Sequence, residues 1–97
     1  MQTFETSPNY SENSDRCHGN QEPCAVCGKP IEPSKAKHYL RMHVFWAALM
    51  PDEEVEPGFD QGYFPIGSDC LRRHPELRPF AVPASFVWGD SPPPVME

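Results

Sequence analysis

Polar and apolar side chains alternate regularly in the middle of the chain. The even positions from 40 to 46 are apolar, whereas Arg41 and His43 between them are polar. This period of two predicts a half-buried β-strand. A helix over residues 36–50 is the alternative, because Leu40 and Val44 also fall at helical spacing and the apolar run extends to position 50. We favour the strand because β-branched and aromatic residues cluster there.

Local signals predict three further segments. Residues 51–62 hold five acidic and no basic side chains, bounded by Pro and Gly, which predicts an exposed loop. Residues 63–66 are expected to return as a second strand, and Pro65 confines that strand to the edge of a sheet. A short helix is expected to run through residues 70–73, since Ser68 or Asp69 can cap it and Pro75 limits its length.

The spacing of the cysteines is the most informative chemical signal. Cys24 and Cys27 are separated by two residues and followed by Gly28, whose positive φ would let the next amides point at sulfur. Such a pair either binds one metal ion or serves as a redox dithiol. A redox pair is expected at a strand-to-helix junction, and the two prolines within residues 29–33 forbid a helix there. We therefore predict a structural Zn2+ site.

The second half of this site should come from the short helix. Cys70 lies in its first turn, where the helix dipole favours a thiolate. His74 follows four residues later, so on an unbroken helix both side chains share a face, although Pro75 pushes His74 out of the α region. A tetrahedral Cys3His site results. The predicted ligands are Cys24, Cys27, Cys70 and His74. The alternatives for the fourth position are Cys17, His18, His38 and His43.

Composition limits the folded part of the chain to a small centre. Hydrophobic residues make up 38% of the 97 positions and 13 residues are Pro, so full order in regular elements is not expected. We predict a small α+β, zinc-stabilised domain over residues 24–82, built from a zinc knuckle, a β-hairpin and a short helix. Residues 1–23 are expected to form an irregular N-terminal arm, and residues 83–97 a Pro-rich C-terminal tail.

The two motif blocks of this domain resemble those of known proteins. The sequence C-x2-C-G-K at 24–29, followed by a hairpin and by F-P-I-G-S-D-C at 64–70, resembles a treble-clef zinc finger. The same blocks are similar to those of small zinc proteins encoded by bacteriophages and prophages. The resemblance covers residues 24–79 and implies a treble-clef-like fold with structural zinc. Treble clefs usually carry a second Cys-x-x-Cys on the helix, whereas position 73 is Arg here.

Charge and motif content narrow the function classes. The net charge of −6 disfavours nucleic acid as a ligand, although basic residues within 24–50 and 69–82 could contact phosphates. We expect no enzyme, because a closed, thiolate-rich site quenches the Lewis acidity of zinc. We also expect a cytoplasmic protein without membrane contact, since no apolar window is long enough to span a bilayer and residues 1–10 do not resemble a secretory signal.

A protein that acts by binding another protein is the class that remains. Concentrated carboxylates steer encounter with a basic surface. The phage resemblance, together with acidity and size, implies an inhibitor that imitates DNA on a host nucleic-acid-handling or defence complex, such as a CRISPR effector complex, in the host-cell cytoplasm. A nucleic-acid-binding zinc-finger regulator is the alternative. The predicted partner contacts are Asp52, Glu53, Glu54, Glu56 and Asp60.

The aromatic residues are interpreted in two groups. Those in the two arms are candidate anchors for a partner, because aromatic side chains dominate the energetics of interfaces. Those in the apolar run at 42–46 are expected to belong to the core. The candidate anchors are Phe4, Tyr10, Phe86 and Trp88, and the expected core cluster is Met42, Phe45 and Trp46.

Overall fold

The computed structural model of the chain describes residues 1–88 as a small α+β fold. Its elements are β1 (Gln2–Thr3), α1 (Tyr10–Ser14), β2 (Glu22–Pro23), β3 (Pro30–Ile31), β4 (His38–His43), β5 (Ala47–Leu49), β6 (Asp60–Ile66), α2 (Ser68–Arg73), a 3₁₀ helix (Pro75–Phe80), β7 (Val82–Pro83) and α3 (Ala84–Trp88). The predicted return strand is confirmed by β6, which begins at Asp60, three residues before its predicted start and inside the predicted loop. The predicted short helix is confirmed by α2, but Gly67 occupies its N-cap position and makes no side-chain hydrogen bond, so the predicted cap at Ser68 or Asp69 is wrong. The last nine residues of the predicted Pro-rich tail lie outside the described residues.

The main sheet is antiparallel and is organised around β4. The strand order is β1-β5-β4-β6, and β7 also pairs with β4. On one edge of β4, Leu40 pairs with Phe64 of β6; on the other, Met42 pairs with Ala48 of β5 and Tyr39 pairs with Val82 of β7. The strand β6 ends this order, as expected for a strand that contains proline. A separate hairpin of β2 and β3 carries the Cys-x-x-Cys turn.

The central apolar run folds as a hairpin of β4 and β5. The alternative of a helix over residues 36–50 is therefore wrong, and the strand ends before the alternating pattern does. The strand β4 ends at His43, and β5 begins at Ala47. The backbone N–H of Val44 donates to the carbonyl of Phe59, and that of Trp46 donates to the carbonyl of His43. Trp46 closes this turn with a φ of 61°, a left-handed conformation that side-chain alternation does not reveal.

The hydrophobic core is small and includes the cysteine-bearing turn. Its fully buried aliphatic side chains include Leu40, Met42 and Leu77. Cys24, Ala25 and Val26 belong to the same cluster, and so do Cys70 and Ile66 from the other side of the site. The core and the cysteine site are therefore one packed unit.

The first 23 residues differ from the expected irregular arm. Gln2 pairs with Ala48 at the edge of the sheet, and the Phe4 ring packs against the core. The backbone N–H of Ser7 donates to the carbonyl of Val26 at 2.8 Å. Composition indicated an arm because it counts apolar side chains, whereas this segment is attached mainly through backbone hydrogen bonds and a few rings.

Membrane insertion through a helix finds no support in this fold. Within residues 1–88, no helix combines the length and the apolar character that crossing a bilayer requires. The longest α-helix there, α2, has six residues. A bilayer-spanning helix needs about 20 residues.

Candidate metal centre and acidic loop

Three cysteines from two elements converge on one point. Cys24 and Cys27 lie on the turn between β2 and β3, and Cys70 lies on α2. Their sulfur atoms are within 4.8 Å of one another, and all three are free thiols. This spacing and donor chemistry suit one metal ion, since three thiolates around a common centre need a cation to offset their charge.

The turn that carries the first two cysteines is closed by backbone hydrogen bonds. The N–H of Gly28 donates to the carbonyl of Cys24 at 2.9 Å, and the N–H of Cys24 donates to the carbonyl of Lys29 at 3.0 Å. Gly28 has the predicted positive φ, at 78°. A Cβ at this position would lie 2.4 Å from the carbonyl oxygen of Tyr10, so both conformation and space require glycine.

The surroundings of the sulfurs favour ionisation at one of them and oppose it at another. Burial raises the pKa of Cys24, but backbone N–H groups, including that of Gly67 at 3.3 Å from Sγ, bring it below its ordinary value. Burial and the neighbouring Cys24 raise the pKa of Cys70 far above its ordinary value. Ionising all three neighbouring thiols together therefore needs added positive charge, which a bound metal ion would supply.

His74 lies beside the three cysteines, but its ring nitrogens do not join the group of sulfur atoms that lie within 4.8 Å of one another. It ends α2 with φ −122° and ψ 71°, outside the α region, as Pro75 requires. Its Nδ1 lies 2.9 Å from a carboxylate oxygen of Glu76. Together with Cys27 and Cys70 it lines a cavity of about 310 Å³. The assignment of His74 as the fourth ligand stays a prediction.

The alternative fourth ligands are likewise not within 4.8 Å of the three sulfurs among the described residues. Cys17 is half-buried, and burial, then the nearby Glu22 carboxylate, raise the pKa of its thiol. His18 Nδ1 lies 3.2 Å from the carbonyl oxygen of Arg16. His43 is buried, and its Nδ1 accepts a hydrogen bond from the N–H of Phe45.

Asn13, in the N-terminal segment, supports the cysteine-bearing turn, and the sequence pattern does not predict this role. Asn13 is buried, and its side-chain amide donates to the carbonyl of Cys27 at 2.8 Å. It also lines a cavity of about 450 Å³ beside the three cysteines, together with Asn9 and Asp69. A helix residue at the end of a polar segment gives no sequence signal for this role.

Arg41 contacts the acidic loop at several points along its length. Arg41 donates through Nη1 to three carbonyl oxygens, those of Met50 at 3.0 Å, Pro51 at 3.3 Å and Glu53 at 2.6 Å. Its Nε and Nη2 donate to the same carboxylate oxygen of Asp60, at 3.0 and 2.8 Å. The Arg41 side chain is only 13% exposed. We call these contacts the Arg41 staple.

The five predicted contact residues therefore fall into two groups. The Arg41 guanidinium, followed by the N–H of Gly62, holds the pKa of Asp60 below its ordinary value. The N–H of Met50 likewise lowers the pKa of Glu53. Because these pKa values are depressed, the two contacts stabilise the loop at neutral pH and weaken as the pH falls through the folded-state pKa values. Asp52, Glu54 and Glu56 are exposed.

Two phenylalanines form an exposed aromatic patch next to this loop. Phe45 is 76% exposed, which makes its assignment to the core wrong, whereas Met42 is fully buried and Trp46 packs against the core. The ring of Phe45 lies 6.1 Å from that of Phe59, and both rings contact His43. The turn at 44–46 displays Phe45 because Trp46 uses the left-handed conformation to turn back toward the core.

The aromatic residues predicted as anchors have different surroundings. Phe4 packs against the core and lies 6.4 Å from the His74 ring, and Tyr10 lies 5.8 Å from Trp46. Phe86 is 56% exposed and contacts Tyr63. The side chain of Trp88 lies outside the described part of the chain. Three of the four rings therefore make contacts within the molecule, and of these Phe86 stays the most exposed.

Comparison with protein-family models, with curated proteins and with solved structures finds no match for this chain. The treble-clef and phage resemblances thus stay predictions that rest on residues 24–29 and 64–70.

Proposed function

We propose that this chain is a zinc-stabilised protein that acts by binding a basic surface of another protein through its acidic loop. The Arg41 staple is the observation that carries the proposal. A solvated loop needs no arginine to fix its backbone, whereas a binding loop gains affinity when its shape is set before the partner arrives.

The carboxylates of this loop have two different roles. Asp60 and Glu53 hold its shape, while Asp52, Glu54 and Glu56 are exposed and available to a partner. Three carboxylates on a fixed backbone can face Lys and Arg side chains that otherwise bind phosphates, which is the basis of DNA mimicry. The contacts would chiefly raise the association rate and would weaken with salt.

The aromatic patch supplies the anchor that carboxylates alone lack. Interfaces draw most of their energy from a few buried aromatic or arginine side chains. Phe45 and Phe59 are adjacent to the acidic loop and are held there by the hydrogen bond between Val44 and Phe59. Arg and Lys also stack on aromatic rings, so the patch and the carboxylates select the same cationic partner.

We assign the metal a structural role and zinc as its identity. Three thiolates that join the core to α2 are typical of structural zinc sites. The contact of His74 Nδ1 with Glu76 supports His74 as the fourth ligand through Nε2, because metal-binding histidines usually donate their other ring nitrogen to a carboxylate. Glu76 would then orient the imidazole. The target class that we favour is a nucleic-acid-handling or defence complex of a bacterial host.

The proposal is tested by neutralising only the exposed carboxylates. Zinc-loaded wild type, the triple variant D52N/E54Q/E56Q and a matched control E5Q/E12Q/D15N are each immobilised and exposed to nuclease-treated bacterial lysate. The control removes the same charge from exposed positions elsewhere. We expect nucleic-acid-binding proteins to be retained by wild type and control, lost from the triple variant, and released by salt.

Two results would contradict the proposal. Retention of the same proteins by the triple variant removes the acidic loop from the interface. Direct binding of labelled DNA or RNA by the purified wild type, weakened by salt and unaffected by the triple substitution, would favour the alternative nucleic-acid-binding function instead.

A further inference from the structure

A tight turn of the acidic loop places one exposed carboxylate beside the aromatic patch. The backbone N–H of Phe59 donates to the carbonyl of Glu56 at 3.1 Å, which closes a turn over residues 56–59. Pro57 and Gly58 are its central residues, and Gly58 has the positive φ, 91°, that a type II turn requires there. The Cα atoms of the first and last residues of such a turn are less than about 7 Å apart, so Glu56 lies next to Phe59.

The two rings of the patch are held by backbone hydrogen bonds. The N–H of Val44 donates to the carbonyl of Phe59 at 2.8 Å, and the N–H of Phe45 donates to Nδ1 of His43 at 3.1 Å. The ring of Phe45 contacts those of His43 and Phe59, yet most of it is exposed. An open aromatic ring and an exposed carboxylate are therefore neighbours on one preformed surface.

Charge decides what can cover this surface. Residues 51–62 hold five acidic and no basic side chains, and the net charge of the chain is −6. A second copy of the chain would bring the same negative charge to the contact and be repelled. A neutral apolar partner would take the Glu56 carboxylate out of water without giving it a counter-charge, which is costly. A cationic side chain meets both the ring and the carboxylate.

Arginine fits the two groups better than lysine does. Its guanidinium is planar, stacks on aromatic faces and is more weakly hydrated than an ammonium group. Its N–H groups lie in the plane of the stack, so they can donate to a carboxylate at the edge of the ring. An ammonium group is a compact point charge that satisfies the carboxylate but gains less from the ring.

We propose that Phe45, Phe59 and Glu56 form a subsite for one arginine side chain of the partner. The guanidinium stacks on the exposed ring of Phe45 and donates to Glu56. This inference rests on the proposed function and refines its site. The acidic loop as a whole attracts any cationic surface, whereas the arginine subsite selects arginine over lysine.

The subsite is tested by titrating the full, zinc-loaded chain with hexa-arginine and with hexa-lysine peptides at the same ionic strength. We expect wild type to bind hexa-arginine about fivefold more tightly. Nuclear magnetic resonance should show an upfield shift of arginine side-chain protons that lie over the ring. Phe45→Leu keeps an apolar side chain without the aromatic face, and it should lose the preference while its affinity for hexa-lysine is unchanged. Phe86→Leu removes another exposed ring and should keep the preference.

A matched pair of charge variants tests the carboxylate. Glu54→Gln and Glu56→Gln each remove one exposed charge from the same loop, so both should weaken the binding of hexa-lysine by a similar factor. Only Glu56→Gln should also reduce the preference for arginine. The same preference in both variants would overturn the subsite, because Glu56 would then contribute only through its charge.

The remaining outcomes separate the subsite from the proposed function. Equal binding of the two peptides by wild type, or an unchanged preference in Phe45→Leu, overturns the arginine subsite and leaves an acidic loop that binds cations in general. Binding of hexa-lysine to D52N/E54Q/E56Q as tightly as to wild type contradicts the proposed function itself. Dimerisation of wild type that Phe45→Leu abolishes would show that a second copy covers the patch, and would also overturn the subsite.

Discussion

Gly28 combines a left-handed backbone conformation with close packing beside the cysteine cluster. Its φ of 78° turns the chain between Cys27 and Lys29, and the carbonyl of Tyr10 occupies the space that a Cβ would need. The glycine therefore positions the cysteines and lets α1 lie against them.

We expect Gly28→Ala to destabilise the fold by about 2 kcal/mol or more, since a left-handed alanine costs about 1 kcal/mol and the contact with Tyr10 adds to it. Gly58→Ala is the matched control, because Gly58 also has a positive φ, of 91°, but open space around its Cβ position. Urea unfolding of both zinc-loaded variants measures the difference. Equal losses would mean that the contact with Tyr10 contributes nothing.

At the scale of the elements, Arg41 fixes the conformation of the acidic loop that follows β5. One side chain of β4 bonds three backbone carbonyls and a carboxylate that are spread over residues 50–60. A planar guanidinium offers donors in a fixed fork, and an ammonium group does not.

We therefore expect Arg41→Lys to keep the charge but loosen the loop. Amide hydrogen exchange at Glu53, Phe59 and Gly62 should accelerate at least about tenfold, while exchange at Cys24 and Gly28 stays unchanged. Partner binding should weaken as the loop loses its fixed shape. Arg73→Lys, an exposed position on α2, is the control. Unchanged loop exchange in Arg41→Lys would show that charge alone holds the loop.

The sequence predicted the elements whose signals are local. The Cys-x-x-Cys-Gly turn, the short helix limited by Pro75, the edge strand with Pro65 and most of the acidic loop follow from neighbouring residues. The predicted helix cap does not, because Gly67 rather than Ser68 or Asp69 stands at the N-cap of α2. Three of the four predicted ligands come together, because two share one turn and the third lies in the first turn of α2.

Features that depend on distant partners could not be predicted in this way. Arg41 looked like an ordinary outward residue of a strand, since its acceptors lie 9 to 19 positions away. Phe45 was assigned to the core because alternation does not reveal a turn that Trp46 closes at positive φ. The N-terminal segment is joined to the fold by Ser7 and Asn13, whose polar side chains suggested an arm.

At the scale of the whole molecule, the three cysteines connect the β2–β3 hairpin to α2 through one core. Cys24, Val26, Leu40 and Cys70 belong to one buried cluster. A structural zinc site contributes on the order of 10 kcal/mol near neutral pH, comparable with the entire stability of a small domain. Metal and fold should therefore be lost together.

We expect a chelator at neutral pH to abolish cooperative thermal unfolding, and Cys70→Ser to behave like the chelated protein. Circular dichroism during a thermal scan is the measurement, and Cys17→Ser and His74→Gln report which residue completes the site. With His74 as the ligand, His74→Gln lowers the midpoint and Cys17→Ser does not. A chelated sample that keeps its transition would contradict the structural role of the metal.

The strand β4 separates the acidic loop from a lysine that precedes its other end. The exposed carboxylates of the acidic loop lie toward the end of β4 that carries His43, and exposed Lys37 precedes the end that carries His38. A protein with separated charges experiences a torque in the field of a charged surface, so it rotates before contact and presents its acidic end to a cationic partner. At physiological salt the screening length of about 8 Å is shorter than the strand, so this orientation acts only in the last stage of approach.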